Sequence, residues 1–395
     1  MPRKSLDAAD RSDVGITPES LYRRIERRDP VTILDVRSRD QFDEWRISGP
    51  SISIVNVPAF DIIDDDTGTV LDRLPEDDEV VVVVCAAGRS SALLAGWLST
   101  HGFDATNLQG GMNGWARVLV SKPMSGYDGP GTLLQYQRPS SGCLGYLLYH
   151  DGEAAIVDPL RTFTERYLED VADLGCSLTY AIDTHVHADH ISGVRELAAA
   201  GSIGVMPAPA IDRGVTDADE IRPISDGETL TVGAATVEAV HTPGHTSGMT
   251  SYRIGDSVLL TGDTLFTDSV ARPDLEAGDE GAREAAGQLY DTLKSRIDPL
   301  PDDITIAGGH QRESAAYAVD GTATVRLGEL KQCLSIFERD RGSFVDLLLS
   351  DMPPRPANFR RIIAANLGQQ DVDAEEAFEL ELGPNNCATS RGELG

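Results

Sequence analysis

The chain has 395 residues, which is enough for about two domains that each bury a full hydrophobic core. Hydrophobic residues make up 41% and charged residues 25%, as in ordinary globular proteins, but 64 acidic residues against 34 basic ones give a formal net charge of -30. A surface of this charge repels nucleic acid and anionic lipid, which bind clustered cations, so we exclude both as partners.

Almost all of the positive charge is arginine, because lysine occurs only at Lys4, Lys122, Lys294 and Lys331. Such a surface suits a protein that works in concentrated salt, where the Debye length falls to about 3 Å at 1 M. We interpret the composition as that of a halophile, and we expect a haloarchaeal source. The alternative, an acidic protein from a mesophile, would not require so little lysine.

No segment of the sequence is expected to direct the chain to a membrane. Residues 1–13 are charged and have no apolar core, so no signal peptide is expected. The longest apolar stretch, Val80 to Ala87, is far shorter than the roughly 20 residues that span a bilayer. The cysteines are few, odd in number and scattered, which favours free thiols in the cytoplasm; they are Cys85, Cys143, Cys176, Cys333 and Cys387.

A first domain is predicted over residues 14–120. Thr17 and Pro18 mark a helix start, with a capping hydroxyl followed by a proline at the first helical position. Buried strands are predicted at Val31–Val36 and Val80–Val84, and an amphipathic helix is predicted to begin at Ser91. Because buried strands alternate with helices, the pattern predicts a parallel α/β sheet. Residues 121–131, rich in Gly and Pro, form the predicted linker.

The second domain is predicted over residues 132–395. Thr162 and Glu165 have the spacing of a capping box at a helix start. A strand at Leu178–Ile182 ends at a histidine-rich motif, and helices are predicted after His310. Further strands alternate with turn residues; they are Leu144–Leu148, Ala154–Val157, the hairpin Leu230–Val240 and Ser257–Leu260.

Cys85 is the candidate nucleophile of the first domain. It follows five valines and opens the six-residue segment Cys85-Ala86-Ala87-Gly88-Arg89-Ser90. A short loop between a buried strand and a helix presents converging N–H groups and the positive end of the helix dipole. A thiolate, or a persulfide anion formed on it, is stabilised there. The alternative is a buried strand cysteine with no chemical role.

Residues 14–120 resemble the rhodanese (sulfurtransferase) domain. The segments that carry the resemblance are Leu34–Arg37, Ile54–Pro58 and Leu108–Trp115, together with the six-residue loop. The resemblance implies that Cys85 carries a persulfide, held by the loop residues Ala86 to Ser90. Active rhodaneses usually have arginine at the sixth loop position, whereas this loop has Arg89 fifth and Ser90 sixth. We therefore expect persulfide handling in general rather than thiosulfate as a specific donor.

Seven residues of the second domain are candidate metal ligands. Four lie within six positions, and three more follow Gly-rich turns, and six of the eight histidines lie at these motifs. Neutral imidazole and carboxylate are ligands that suit zinc and iron. The seven are His185, His187, Asp189, His190, His245, Asp263 and His310.

The ligands lie in four motifs, Thr184–His190, His241–His245, Thr261–Thr264 and Gly308–His310. These motifs resemble those of the metallo-β-lactamase superfamily, and within it those of the persulfide dioxygenases, which are related to glyoxalase II. The resemblance implies an α/β fold, the αβ/βα sandwich, and one Fe(II) per chain held by His185, His245 and Asp263. It also implies that Arg272 binds the charged end of the substrate and that Asp274 orients it; the alternative for both is a salt bridge. The remaining candidates would hold the ligands by hydrogen bonds, or bind a second metal; they are His187, Asp189, His190 and His310.

The leading hypothesis is a sulfur-metabolism enzyme in which a persulfide dioxygenase is fused to a sulfurtransferase. It would oxidise a low-molecular-weight thiol persulfide with O2 to sulfite and thiol, and the rhodanese domain would exchange sulfur with sulfite or thiosulfate at raised local concentration. One alternative is a glyoxalase II-like thioester hydrolase with two zinc ions. Another is a non-catalytic sulfur carrier or sensor. Members of the resembled family are often oligomers, so a homo-oligomer is an open alternative.

Overall fold

The computed structural model describes residues 15–64, 73–74, 80–312, 315–350 and 352–388. The chain forms two compact units. The first contains the residues up to Val118 with the short segments Arg138–Ser141 and Leu382–Pro384; the second contains Leu119–Gln137, Gly142–Glu381 and the residues from Asn385 onward. The predicted domain boundaries stay predictions, and their outer limits, residues 14 and 389–395, lie outside the described residues.

The first unit contains a parallel four-stranded sheet with the strand order β2-β1-β3-β4. Every residue of its two central strands is buried, because helices cover both faces of such a sheet. Its strands are β1 (Val31–Asp35), β2 (Ile52–Asn56), β3 (Val81–Val84) and β4 (Ala105–Asn107). The helices described are α1 (Pro18–Glu26), α2 (Arg39–Glu44), α3 (Ala59–Asp64), α4 (Arg89–Thr100) and α5 (Gly111–Trp115).

The loop after β3 rests on the first turn of α5. The carbonyl of Cys85 accepts a hydrogen bond from the N–H of Met112 (2.9 Å), and that of Ala86 accepts one from Asn113 (3.0 Å). The same two peptide units carry the N–H groups of Ala86 and Ala87. Because a peptide unit is planar and trans, these N–H groups point away from α5, toward the inside of the loop. Gly111 permits the close approach: its φ is +56°, and a Cβ there would lie 2.1 Å from the carbonyl oxygen of Cys85.

The second unit contains two mixed sheets. The seven-stranded sheet has the order β11-β10-β9-β8-β7-β6-β5, and the six-stranded sheet runs from β12 to β17 in chain order. The first sheet consists of β5 (Val120–Pro123), β6 (Thr132–Gln137), β7 (Leu144–His150), β8 (Glu153–Val157), β9 (Ser177–Ile182), β10 (Ile203–Pro207) and β11 (Arg222–Ile224). The second consists of β12 (Thr229–Val232), β13 (Ala235–His241), β14 (Thr250–Ile254), β15 (Val258–Gly262), β16 (Thr305–Gly308) and β17 (Val325–Arg326).

Helices cover the outer faces of both sheets of the second unit. Buried side chains from the two sheets, such as Leu148 and Val237, form one common core. Other cores join each sheet to its helices, as Ile156 packs with Tyr167 and Ile306 with Leu289. The predicted αβ/βα sandwich is confirmed. The helices are α6 (Thr164–Asp173), α7 (Val194–Ala199), α8 (Ala208–Ile211), α9 (Gly278–Thr292), α10 (Leu327–Cys333), α11 (Arg341–Ser350), α12 (Phe359–Asn366) and α13 (Ala374–Leu380).

Two predicted helix starts were wrong. Helix α4 begins at Arg89 rather than Ser91, because Gly88 adopts a left-handed conformation (φ 79°) that ends the preceding loop there. The predicted capping box does not form, since the hydroxyl of Thr162 donates instead to Glu381 (3.3 Å) and α6 begins at Thr164 without a side-chain cap. A long-range partner thus replaced the local one.

Part of the predicted linker is a strand. Residues 120–123 form β5, which pairs antiparallel with β6 at the edge of the seven-stranded sheet. Pro123 is tolerated there because an edge strand leaves N–H positions without a ladder partner. Among the residues described, no helix combines the length and apolar character that crossing a membrane requires.

Replacing Gly111 by alanine should destabilise the chain by more than about 2 kcal/mol, because the new methyl group meets the Cys85 carbonyl and φ is positive. The matched control is Gly96→Ala in the exposed part of α4, where an added Cβ has no heavy atom within 4 Å. It should stabilise by roughly 0.5–1 kcal/mol. Urea unfolding of both variants measures this, and equal midpoints would contradict the packing of the loop on Gly111.

Candidate metal centre and sulfur site

Three of the predicted ligands, His185, His245 and Asp263, converge in the second unit. His185 follows β9, His245 follows β13 and Asp263 follows β15 directly. The Oδ2 atom of Asp263 lies 3.8 Å from Nε2 of His185 and 3.6 Å from Nε2 of His245. All three side chains are buried, and within the described structure these three atoms have no hydrogen-bond partner. One ion at about 2.1 Å from each ligand would span such distances.

The other ring nitrogen of each histidine is engaged. Nδ1 of His185 lies 2.8 Å from the hydroxyl of Thr184, and Nδ1 of His245 lies 2.8 Å from the carbonyl oxygen of Arg272. Because a carbonyl only accepts, Nδ1 of His245 carries the proton and Nε2 presents its lone pair to the centre. Burial lowers the pKa of both histidines, which favours the neutral imidazole that a metal requires. The three residues therefore fit a bound cation.

Asp158, at the end of β8, organises this site and was missed in the sequence. One carboxylate oxygen accepts from the N–H of Thr184 (2.7 Å), and the other from its hydroxyl (3.0 Å). The hydroxyl of Thr184 can then accept the Nδ1 proton of His185, so a carboxylate fixes the ring through one intervening hydroxyl. The sequence did contain a signal for it: Asp158 follows a predicted strand, β8, which lies beside β9, the strand that leads into the histidine-rich motif.

The ring of His187 lies beside that of His185, with 4.2 Å between the ring centroids, and its Nε2 atom faces two other carboxylates. Its Nε2 atom lies 3.2 Å from Asp158 and 3.6 Å from Asp183. Burial and the neighbouring His190 lower the pKa of His187, but the two carboxylates outweigh them and raise it to about 9. Its Nε2 atom therefore faces carboxylates, whereas its Nδ1 atom is buried and has no hydrogen-bond partner among the described residues.

His310 links the metal-centre carboxylate to a second cluster. Its Nδ1 lies 2.7 Å from Oδ1 of Asp263, and its Nε2 lies 2.8 Å from Oδ2 of Asp189. Burial lowers the pKa of His310, but these carboxylates raise it well above its usual range. The same Asp189 oxygen is 3.2 Å from Nδ1 of His190 and 3.2 Å from Sγ of Cys143, a residue that the sequence did not single out.

This second cluster could also hold an ion. One donor atom from each of Cys143, Asp189, His190 and His310 lies within 4.8 Å of the others, and all four residues are buried. Within the described structure, Oδ1 of Asp189 and Nε2 of His190 have no hydrogen-bond partner. The number of metal ions is therefore open on geometry alone.

Arg272 and Asp274 form a buried ion pair. Two guanidinium nitrogens of Arg272 donate to the two oxygens of Asp274, at 2.7 and 3.0 Å. Its Nη1 donates to the carbonyl oxygens of Pro354 (2.8 Å) and Asn386 (3.0 Å). The guanidinium is thus directed at the C-terminal segment. The role of Arg272 and Asp274 in substrate binding stays a prediction.

The C-terminal helices hold the histidine-rich loop, which the sequence did not indicate. The amide nitrogen of Asn366, the last residue of α12, donates to the carbonyls of His187 (3.0 Å) and His190 (2.8 Å). Its oxygen accepts from the N–H of Ser192 (2.9 Å). Glu381 accepts from the N–H of Ile191 (2.9 Å). Two side chains therefore fix the loop backbone at four positions.

The first unit places Cys85 at the carboxyl end of β3. Its sulfur accepts hydrogen bonds from the N–H of Gly88 and the hydroxyl of Ser91, both at 3.1 Å. Burial raises the pKa of Cys85, but the Ser91 hydroxyl and the loop N–H groups outweigh it and lower the pKa. Gly88 is buried, whereas the other predicted loop residues are exposed to solvent: Ala86, Ala87, Arg89 and Ser90.

Comparisons with known proteins agree with this division. The profile of the Rhodanese-like domain matches residues 17–118, and that of the Metallo-beta-lactamase superfamily matches residues 140–310. Persulfide dioxygenase ETHE1, mitochondrial, from Bos taurus is 30% identical over 206 residues, which are 50% of this chain and 77% of that protein.

Two further comparisons concern the same part of the chain. A hydroxyacylglutathione hydrolase from Rhodospirillum rubrum is 31% identical over 168 residues, covering 40% of this chain and 58% of that protein. The crystal structure of ETHE1 from Myxococcus xanthus superposes with a TM-score of 0.52 at 27% identity, covering 60% of this chain and 98% of that one. The chain therefore belongs to the metallo-beta-lactamase superfamily, within the family that includes the persulfide dioxygenases, and it carries a rhodanese-like domain.

Proposed function

We propose that this chain is an iron-dependent persulfide dioxygenase with a sulfurtransferase domain. It would convert a low-molecular-weight thiol persulfide, O2 and water into the thiol and sulfite. The observation that carries the proposal is the set of three buried, unpaired donor atoms on His185, His245 and Asp263. A ferrous ion held by His185, His245 and Asp263 would bind and activate a thiolate and dioxygen.

The hydrogen bonds around the site support a single metal ion. The Nε2 atom of His187 is paired with Asp158 and Asp183, and only its Nδ1 atom has no hydrogen-bond partner among the described residues. His310 has a carboxylate at each ring nitrogen, so neither nitrogen is available while those bonds persist. In this arrangement His310 orients Asp263 and holds its charge, and although burial acts in the opposite direction, the pKa of Asp263 stays below its usual range.

A two-zinc thioester hydrolase is the second candidate. The cluster of Cys143, Asp189, His190 and His310 favours it, since a rotation of His310 would free donors for another ion. The likeness to a hydroxyacylglutathione hydrolase supports it as well. Metal content and oxygen uptake distinguish the two candidates.

Sulfur transfer would take place at Cys85. A thiolate there attacks the outer sulfur of a persulfide and becomes a persulfide itself, while the donor leaves as a thiolate. Sulfite can then attack the outer sulfur on Cys85 and leave as thiosulfate. The hydrogen bonds from Gly88 and Ser91 stabilise the sulfur anion in both steps. The exposed small side chains of Ala86 and Ala87 leave the loop accessible to a donor with a bulky thiol.

The metal content of the purified protein tests the proposed centre. Loaded with Fe(II) in high salt, the chain should retain about one iron, and Asp263→Ala should retain less than a tenth of that, because one of three ligands is lost. Asp256→Ala, a 95% exposed carboxylate in a surface turn, is the control and should bind normally. Elemental analysis measures this. Two zinc ions per chain, or full occupancy in Asp263→Ala, would contradict the proposed centre.

The two activities should separate in the Cys85→Ser variant. Sulfur transfer to sulfite should be abolished because the nucleophile is lost, whereas oxygen uptake with a small-thiol persulfide should stay within about twofold of the original. Cys333→Ser, at an exposed cysteine, is the control for both assays. An oxygen electrode and thiosulfate analysis measure the outcome. Loss of oxygen uptake in Cys85→Ser would argue against two independent sites.

Asn366→Ala should weaken metal binding by roughly tenfold, because the loop of His187 to Ser192 loses three hydrogen bonds. Gln369→Ala removes a nearby exposed amide that contacts Gly214 instead, and it should retain normal affinity. Competition with a chelator measures the affinity, and thermal unfolding of the metal-free protein shows whether the fold persists. An unchanged affinity would mean that α12 does not support the site.

A further inference from the structure

The hydroxyl of Ser91 lies between two acceptors in the first unit. Ser91 is fully buried in the first turn of α4, and its Oγ atom is 3.1 Å from Sγ of Cys85 and 2.6 Å from Oδ1 of Asn107. The sheet sets this geometry, since β3 and β4 run parallel with Val83 opposite Asn107. Asn107, the last residue of β4, and Cys85, which follows β3, therefore meet at the same edge of the sheet.

A serine hydroxyl has one proton to donate, so it cannot donate to both acceptors at once. When the sulfur of Cys85 is an anion, a charge-assisted hydrogen bond to it is stronger than one to a neutral amide. When Cys85 carries a persulfide, the negative charge lies on the outer sulfur, and Sγ becomes a weak acceptor. The shorter contact to Asn107 then becomes the better partner. The direction of the hydroxyl thus follows the charge on Sγ.

We propose that Ser91 is a catalytic residue of sulfur transfer, whose hydroxyl turns from Asn107 to Cys85 as the Cys85 sulfur becomes the leaving group. The proposal rests on the sulfurtransferase function proposed above. The acceptor, sulfite or a thiolate, forms a bond to the outer sulfur through its own electron pair. The S–S bond breaks, and its electron pair remains on Sγ of Cys85. The outer sulfur leaves with the acceptor, so total charge is conserved, and the proton of Ser91 stays on its oxygen.

The groups around Sγ of Cys85 differ in whether they can follow its charge, and this difference supports the role of Ser91. The N–H of Gly88 also reaches Sγ, at 3.1 Å, but a backbone donor is fixed and cannot follow the charge. Arg89 is exposed at the start of α4. Ser91 is instead a buried donor in contact with the sulfur, and a donor shielded from water stabilises a developing charge more strongly. Asn107 holds the hydroxyl in place between transfers.

The test is Ser91→Ala in the full-length chain. We expect the kcat of sulfur transfer to sulfite to fall at least tenfold with an unchanged KM for sulfite, because the hydroxyl acts on the leaving sulfur of Cys85 and does not contact the acceptor. The pH at which Cys85 is alkylated by iodoacetamide, followed by mass spectrometry of its peptide, should rise by about one unit. Ser99→Ala, whose hydroxyl bonds Ala95 and Ala105 of the same region, is the matched control and should change neither. Ser91→Thr, which keeps a hydroxyl, should restore part of the rate.

A second variant tests the partner without removing the hydroxyl. In Asn107→Asp, a carboxylate holds the proton of Ser91 more strongly, so transfer should slow as in Ser91→Ala. Rates and alkylation profiles within twofold of the original in both variants would overturn the role of Ser91 while leaving sulfur transfer intact. An original protein that transfers no sulfur would overturn the proposed transferase, and with it this role.

Discussion

At the candidate metal centre, Nε2 of His185, Nε2 of His245 and Oδ2 of Asp263 are buried without hydrogen-bond partners among the described residues. Burying an unpaired polar group costs several kcal/mol, and a bound cation would offset that cost. The nearby hydroxyl and carbonyl groups form hydrogen bonds with other atoms instead of with these three. Thr184 and the carbonyl of Arg272 engage only the Nδ1 atoms of the two histidines, so the donors that face the centre stay available.

The two candidate sites favour ligands of opposite charge. The metal centre presents lone pairs that need a positive charge, and carboxylates hold its neighbours in place. The site of Cys85 presents N–H and O–H donors that need a negative charge, and the close contact at Gly111 aims those donors by fixing the loop carbonyls on the other side.

Short-range patterns were sufficient to predict much of the fold and to identify residues that converge in the two candidate sites. The buried valine run of β3, the hairpin of β12 and β13 and the histidine-rich motif all lie within a few residues, so spacing determines them. The supporting residues depend on contacts between distant segments. Asp158 is 26 residues from Thr184, and Asn366 is 176 residues from His190. The capping box was wrong for the same reason, since Thr162 bonds Glu381 instead of its local partner.

The hydrogen bonds from Asn366 and Glu381 to the histidine-rich loop also constrain the order in which the second unit can fold. Ile191 and Ser192 are tied to side chains that lie 190 and 174 residues further along the chain. A ribosome therefore releases the histidines long before their supports exist, and closing loops of that length is entropically slow. We therefore expect the sheets of the second unit to form before the loop that carries the histidines is fixed. A metal ion is thus expected to bind tightly only after α12 has packed against the histidine-rich loop, because a chain interrupted before α12 lacks the hydrogen bonds of Asn366 and Glu381 to that loop.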